Sequence, residues 1–156
     1  MTFGSRLTAL VRMATGLLFL AEGFGKVTGK FVHGAFAQDA QEMSRKSWPL
    51  WGSFLRSVVV PHTSLFAWVV ALGELLLGVA LLLGVLTRIA AAAGVLLLLS
   101  IVLGQSYVPG ADWVGWITAG LTTKFAILLL LSLAASGHGA WGLDGRRRGK
   151  VRPGFR

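Results

Sequence analysis

The sequence predicts an all-α membrane protein: a four-transmembrane-helix bundle with a long outer loop, carrying an interfacial helix, between helices 1 and 2. Three observations point there. Hydrophobic residues make up 54% of the chain and charged residues 13%, about half the charged share of a soluble domain. Four windows approach the roughly 20 apolar residues needed to cross a hydrocarbon core about 30 Å thick. Lys and Arg gather near the ends of those windows.

The windows run over 7–27, 65–86, 89–108 and 117–135. The first is interrupted by Arg12 and Glu22 and is followed by no clean small-x-small site, so it reads as a retained helix and not a cleaved signal. Orientation follows from the basic residues near span ends. Arg6 precedes span one, Arg88 lies in the turn VLTRIA between spans two and three, and an Arg-rich tail follows span four. An even number of spans puts all three on one side, which predicts cytoplasmic N- and C-termini. The turn PGADWVGW then lies outside with one charge, Asp112; the outer segment works against the rule by holding Lys30, Arg45, Lys46 and Arg56.

That segment, 30–64, is long for a bundle connection. Its middle mixes helical spacing with Trp48 and Trp51, and Pro49 is expected to break any helix there. This predicts an interfacial helix followed by a Trp-rich piece at the headgroup level, or else a plain exposed loop. Trp113, Trp116 and Trp141 also fall at span ends, where an aromatic belt places them. Small residues four apart, Ala80/Gly84, Ala90/Gly94 and Ser132/Ser136, suggest close helix contacts.

The 146–156 tail holds Arg146, Arg147, Arg148, Lys150, Arg152 and Arg156. No other basic face is interleaved with aromatics, so the tail reads as a topology signal touching anionic lipid, with no nucleic acid as partner. The chain has no Cys, which excludes disulfides and thiolate-ligated metals.

Five ionisable residues fall inside spans: Arg12, Glu22, Lys26, Glu74 and Lys124. Counted from the cytoplasmic edge at about 1.5 Å per residue, Arg12 lies at about 8 Å and Glu22 at about 22 Å. On the same scale Lys26 lies at about 28 Å, Glu74 at about 16 Å and Lys124 at about 20 Å. Glu22, Glu74 and Lys124 thus share one band, Lys26 sits just above, and Ser100, Gln105 and Tyr107 reach the same half from span three. Such charges face the bundle interior and pair. Two readings fit: salt bridges that fasten helices, or a site where an amphiphilic ligand meets protonatable groups. Arg12 is expected to snorkel to the near face or tether a neighbouring carbonyl. His33 and His62 flank the outer segment and His138 lies at the other side, so no facing pair suits haem, and neither haem nor metal is expected.

These residues form a pattern. Span one carries Arg12-x3-Gly16 and Gly23-x2-Lys26, span two carries Glu74-x3-Gly78-x5-Gly84-x3-Arg88, and the chain after span four reads GHGAWGLD, 137–144. This resembles the DoxX/DoxD family of small four-helix membrane proteins. Gly142 stands where that family usually has Ser, and the 30–64 segment is longer than a minimal member needs. The resemblance implies a multi-pass protein of a bacterial- or archaeal-type cell membrane. It also implies linkage to membrane quinone, since the family's best-described activity is that of the membrane subunit of a thiosulfate:quinone oxidoreductase.

On that reading Glu22, Glu74 and Lys124 are the catalytic candidates, and Lys26, Gln105, Ser100 and Tyr107 the quinone-binding ones. Arg12, Arg88 and Arg146–Arg148 serve lipid contact and topology. Partners are the lipid bilayer and a soluble or membrane oxidoreductase, with a homo-oligomer left open. The alternatives are a scaffold that anchors a partner protein, and a small proton-coupled transporter. Two Lys beside two Glu disfavour the transporter, because a neutralised carboxylate carries a cation poorly.

Overall fold

The computed structural model describes residues 3–105, 113–118, 120–137 and 141–144, and these are helical apart from short connections. Helix α1 (Phe3–Thr28) leads into a kinked turn, Phe31–Ala35, where Gly34 takes φ +129° and redirects the chain. Helices α2 (Phe36–Lys46) and α3 (Pro49–Phe54) follow. A wide turn, Leu55–Val59, and a tight one, Val60–His62, then join α3 to α4 (Thr63–Leu83). Next come α5 (Thr87–Gln105), the short α6 (Trp113–Thr118) and α7 (Leu121–Ser136).

Among the described residues, three helices are long and apolar enough to cross a membrane: 3–28, the run 49–83 and 87–104. α7 is equally apolar over 16 residues. The window expected as one span over 117–135 is divided, because Gly120 at φ +65° separates α6 from α7.

The segment 30–64 is not a loop. α2 presents Phe36, Ala40 and Met43 inward at helical spacing, with Asp39 at the edge of that face, while Glu42, Arg45 and Lys46 face out; Glu42 and Lys46 form an ion pair one turn apart. Pro49 does not interrupt a helix. The break falls just before it, where Ser47 and Trp48 are extended, and Pro49 opens α3 at the position where a missing N–H costs nothing. From Pro49 the chain stays helical to Leu83, 35 residues, or about 52 Å of rise. That exceeds the hydrocarbon thickness of about 30 Å. The excess, α3 and the turns after it, therefore stands beyond the bundle, bent at His62 beside Pro61.

α1 and α4 pack along their whole length, α5 packs on α7, and the α4–α5 contact joins the two pairs. The α1 seam is Ala9, Arg12, Gly16, Phe19, Gly23 and Lys26; the α4 seam is Ala67, Ala71, Glu74, Gly78 and Leu81. Both alternate steps of three and four, the spacing of knobs-into-holes packing. Gly16 lies against Leu82 and Gly78, and Gly23 against Leu75 and Ala71, so the helices run antiparallel. A Cβ at Gly16 would sit 2.8 Å from the Leu82 backbone nitrogen, and one at Gly78 2.7 Å from that of Leu20. The close backbone approaches between α1 and α4 are therefore at Gly16, Gly23 and Gly78, none of them in the pairs the sequence suggested. Of those pairs, Ala90 is buried and Gly94 packs against Leu130 of α7, whereas Ser132 and Ser136 are exposed.

Gly84, of the pair Ala80/Gly84, acts first as a helix cap. It ends α4 in the left-handed region, φ +66°, with its N–H on the Leu81 carbonyl and the Val85 N–H on the Ala80 carbonyl, the paired bonds of a Schellman cap. Large apolar side chains such as Leu17, Leu76, Leu96 and Leu128 cover the outside of the helices, as lipid-facing positions require.

Candidate functional site

Two charged constellations stand at opposite ends of the α1–α4 seam. At the α4–α5 turn, Arg12 is 1% exposed. It does not snorkel: its guanidinium lies against Gly84, where a side chain would collide with it. Asp144 supplies an opposing charge. The Asp144 N–H donates to the Gly84 carbonyl at 3.0 Å, and its carboxylate accepts the N–H groups of Leu86 and Thr87 at 2.9 and 3.0 Å. The terminal Leu-Asp of the motif thus folds back and caps α5 from a distance in sequence, satisfying donors that the first turn of a helix leaves unpaired. Arg88 donates to the Ala135 carbonyl at 3.3 Å, tying α5 to α7. This end is structural in design. Arg146, Arg147, Arg148 and His138 lie outside the described residues.

At the other end Lys26 reaches across the seam. Its Nζ stands 2.6 Å from Glu74 Oε2 and 3.5 Å from Glu22 Oε2. The Glu74 side chain is 4% exposed, Lys26 21% and Glu22 73%. Depth counting groups Glu22 with Glu74, but direction separates them. Glu22 is one residue off the seam position Gly23, a rotation of about 100°, so its side chain stands at the outer rim. Lys124 is half-buried on α7 and is not among the residues that line the cavity described next.

That cavity, of about 350 Å³, opens beside Lys26. α2 and α3 roof it with Phe36, Asp39, Met43, Trp51 and Phe54; Phe66 of α4 and Ser100 of α5 lie below. Phe31 pairs with Phe36, rings 5.1 Å apart, and the Lys26 ammonium sits 5.6 Å from the Phe31 ring centre. The roof is fastened at two points. Arg56 donates to the Ser44 carbonyl at 2.7 Å, and Ser47 to the Gly104 carbonyl at 3.2 Å. Of the residues the sequence singled out, Lys26 and Ser100 line the cavity, and Glu74 stands behind Lys26. The Gln105 side chain and Tyr107 lie outside the described residues.

Sequence reasoning missed Asp39, Trp51, Phe31 and Phe36 as lining residues. Trp51 was placed at the headgroup level, yet it turns inward, while Trp48 is the exposed one. The legible signal was the apolar face Phe36, Ala40, Met43 of α2, which needs a surface to cover.

The DoxX family's sequence pattern matches residues 7–106. The chain belongs to the DoxX family. The match runs from α1 through α5, so it takes in both members of the buried pair and the whole lining of the cavity in this DoxX protein. α6, α7 and the Asp144 cap lie beyond it. No curated protein and no solved structure matches the chain.

Chemically, the DoxX cavity offers flat aromatic walls and one ammonium. Lys carries three N–H donors and no acceptor. Two of the Lys26 donors are directed to carboxylates, leaving one for an oxygen in the cavity. The Ser100 hydroxyl donates to the Leu97 carbonyl at 2.6 Å, so it presents lone pairs rather than its proton. Among the described residues no group of three or more His, Cys, Asp or Glu is placed to hold a metal.

Proposed function

We propose that this DoxX-family protein is the integral membrane subunit of a quinone-linked oxidoreductase. In this reading it passes electrons from a sulfur compound or a partner protein to membrane quinone at the cavity beside Lys26. The single observation that supports the reading is the cavity itself. Its volume of about 350 Å³ falls within the usual range of ligand sites. Aromatic side chains line it, and it meets an ionisable pair inside a membrane bundle, where such residues are costly and mark sites.

Reduction of a quinone takes two electrons, which leave the donor oxidised by two, and two protons. Lys26 donates a hydrogen bond to one ring oxygen and thereby stabilises negative charge as it develops there. Glu74, a carboxylate buried behind Lys26, takes up a proton that enters from solvent and passes it to Lys26 each time Lys26 gives one up, so both protons of the reduction come from solvent. Glu22, at the exposed rim and on the same ammonium, connects the pair to solvent. Phe31, Phe36 and Trp51 exclude water and hold the ring flat. Both termini are assigned to the cytoplasm from the positions of Arg6 and Arg88, which puts the cavity in the outer half of a bacterial- or archaeal-type cell membrane.

The test is extraction of the purified protein for retained quinone, followed by reduction assays with thiosulfate and with simple thiols. Bound quinone close to one per chain, with turnover by one of these donors, is the expected result. Neither quinone nor turnover would leave the Lys26–Glu74 pair as a helix fastener and favour the scaffold reading.

A further inference from the structure

Of the described residues that line the cavity, two are exposed: Asp39 of α2 and Phe54 of α3. They mark two openings of different chemistry. Asp39 also lines a second hollow of about 320 Å³ together with Glu42 and Lys46, both charged and exposed, so that opening faces water. Phe54 is apolar, 39% exposed, and packs its ring on that of Trp51 with centres 5.1 Å apart. It therefore stands between the interior of the cavity and the outside. Helical spacing divides α3 and the wide turn after it into three sides. Trp51, Leu55 and Val59 turn inward onto the cavity. Ser53, Arg56 and Ser57 form an exposed polar side. Leu50, Phe54 and Val58, four residues apart, form an exposed apolar row in which Leu50 is 90% exposed.

Water is a poor solvent for that row, and acyl chains suit it for two reasons. The row belongs to the helical run 49–83, one of the apolar spans, and the same run exposes Leu65, Val69 and Leu72 on α4. An apolar side next to a polar one that carries Arg56 is also the pattern of a helix lying at a membrane surface. We infer that the Leu50, Phe54 and Val58 row is seated in the lipid leaflet at this end of the bundle, and that the cavity opens to the acyl chains past Phe54. The consequence for the ligand rests on the quinone reading and deepens it. At about 350 Å³ the cavity stands near the lower end of the range of ligand sites, so it holds the ring while the tail leaves past Phe54 and stays in lipid. The site draws its ligand from the bilayer and is indifferent to the length of the tail.

The chain has no Cys, so one introduced Cys carries the sole nitroxide label on the full-length protein in liposomes. Leu50→Cys and Val58→Cys report on the apolar row, and Ser53→Cys and Ser57→Cys on the polar side. Oxygen concentrates among acyl chains, whereas a nickel chelate stays in water. The labels on the apolar row should collide more with oxygen than with the chelate, and those on the polar side the reverse. Chelate-favoured collisions at all four positions would put the row in water. Protection of the row from both agents would place a protein partner on it. Either result would overturn the inference.

A comparison of tails tests the opening itself, with butyl- and decyl-benzoquinone titrated onto the wild-type chain at equal mole fraction in the membrane. With a mouth in lipid the decyl tail stays where it began, and the two should bind within about threefold of each other. If the way out led to water past Asp39, the additional methylenes would be drawn from lipid into water, which weakens the decyl compound by on the order of a thousandfold. A loss above about a hundredfold would overturn the lipid mouth while the quinone reading stands. Binding of neither compound, with the labels of the apolar row in lipid, would overturn the quinone reading and leave the cavity open to lipid.

Discussion

Glu74→Gln is expected to lower quinone reduction by at least about 100-fold, the low end of what a positioned proton carrier contributes, while the protein still inserts and folds. Glutamine has nearly the shape of glutamate and its carbonyl oxygen accepts from Lys26, so the contact across the seam survives at Nζ, now 2.6 Å from Glu74 Oε2. What disappears is the carboxylate charge that holds Lys26 as an ammonium in a buried position, and with it the group that takes up a proton and passes it on to Lys26. Glu74→Leu removes the acceptor as well. It leaves Lys26 with only the longer contact to exposed Glu22, 3.5 Å away, at a cost of up to about 2.5–3.5 kcal/mol by insertion scales, and should impair folding in addition. The contrast between the two variants separates chemistry from fastening. Steady-state reduction in proteoliposomes, with detergent melting as the control, reads both. Wild-type turnover in Glu74→Gln would remove Glu74 from the mechanism.

The second large effect is mechanical. Gly78→Leu should lower the melting temperature in detergent by roughly 2–12 °C. Overpacking of a tight core costs about 1–3 kcal/mol, and each kcal/mol is worth about 2–4 °C at this chain length. The first atom of the new side chain would lie 2.7 Å from the Leu20 nitrogen and 2.9 Å from the Gly16 oxygen. Both are backbone atoms, which cannot swing aside, so α1 and α4 must separate. Lys26 and Glu74 bridge the same seam one turn further along, and separation lengthens their contact too; quinone reduction should fall with stability. Gly25→Ala is the control, since nothing lies within 4 Å of its added Cβ. It should melt within about 0.5 kcal/mol of wild type. Alanine only improves helix propensity there, so an equal loss at Gly25 would show that the α1–α4 approach does not set the effect.

These two predictions draw on information that the sequence holds unevenly. The spans were legible because an apolar run of the right length has few other uses. Depth was legible only in part: helical rise put Glu22, Glu74 and Lys124 in one band and left Lys26 about 12 Å above Glu74, whereas the Lys26 ammonium reaches to 2.6 Å from the Glu74 carboxylate. Azimuth was not legible. Glu22 and Gly23 differ by one residue, and only the packed seam shows that Gly23 faces α4 while Glu22 faces out. The three–four alternation of Ala9, Arg12, Gly16, Phe19, Gly23 and Lys26 was present in the sequence, but apolar neighbours on every side mask such a seam in a membrane helix.

The 30–64 segment was harder for a different reason. Its course turns on single backbone angles: Gly34 at φ +129°, extended Ser47 and Trp48, and the bend at His62. Pro49 was read as a breaker because proline inside a helix is one, yet at a first helical position it starts the next. The cavity exists only because these bends fold α2 and α3 back over the bundle, so its aromatic wall could not be assembled from spacing. Asp144 shows the same limit at the other end. The motif that holds it was visible, but its partners, Leu86 and Thr87, are 58 and 57 residues away.

The central claim is that the cavity beside Lys26 takes a quinone ring. Photolabelling of the full-length chain in liposomes with a short-tailed photoreactive benzoquinone, followed by peptide mapping, tests it most directly. The account predicts labels on the cavity walls, at Phe31, Trp51 or Phe66, that disappear when excess unlabelled quinone is added. Labels spread over lipid-facing residues such as Leu17 and Leu96, insensitive to competitor, would contradict it.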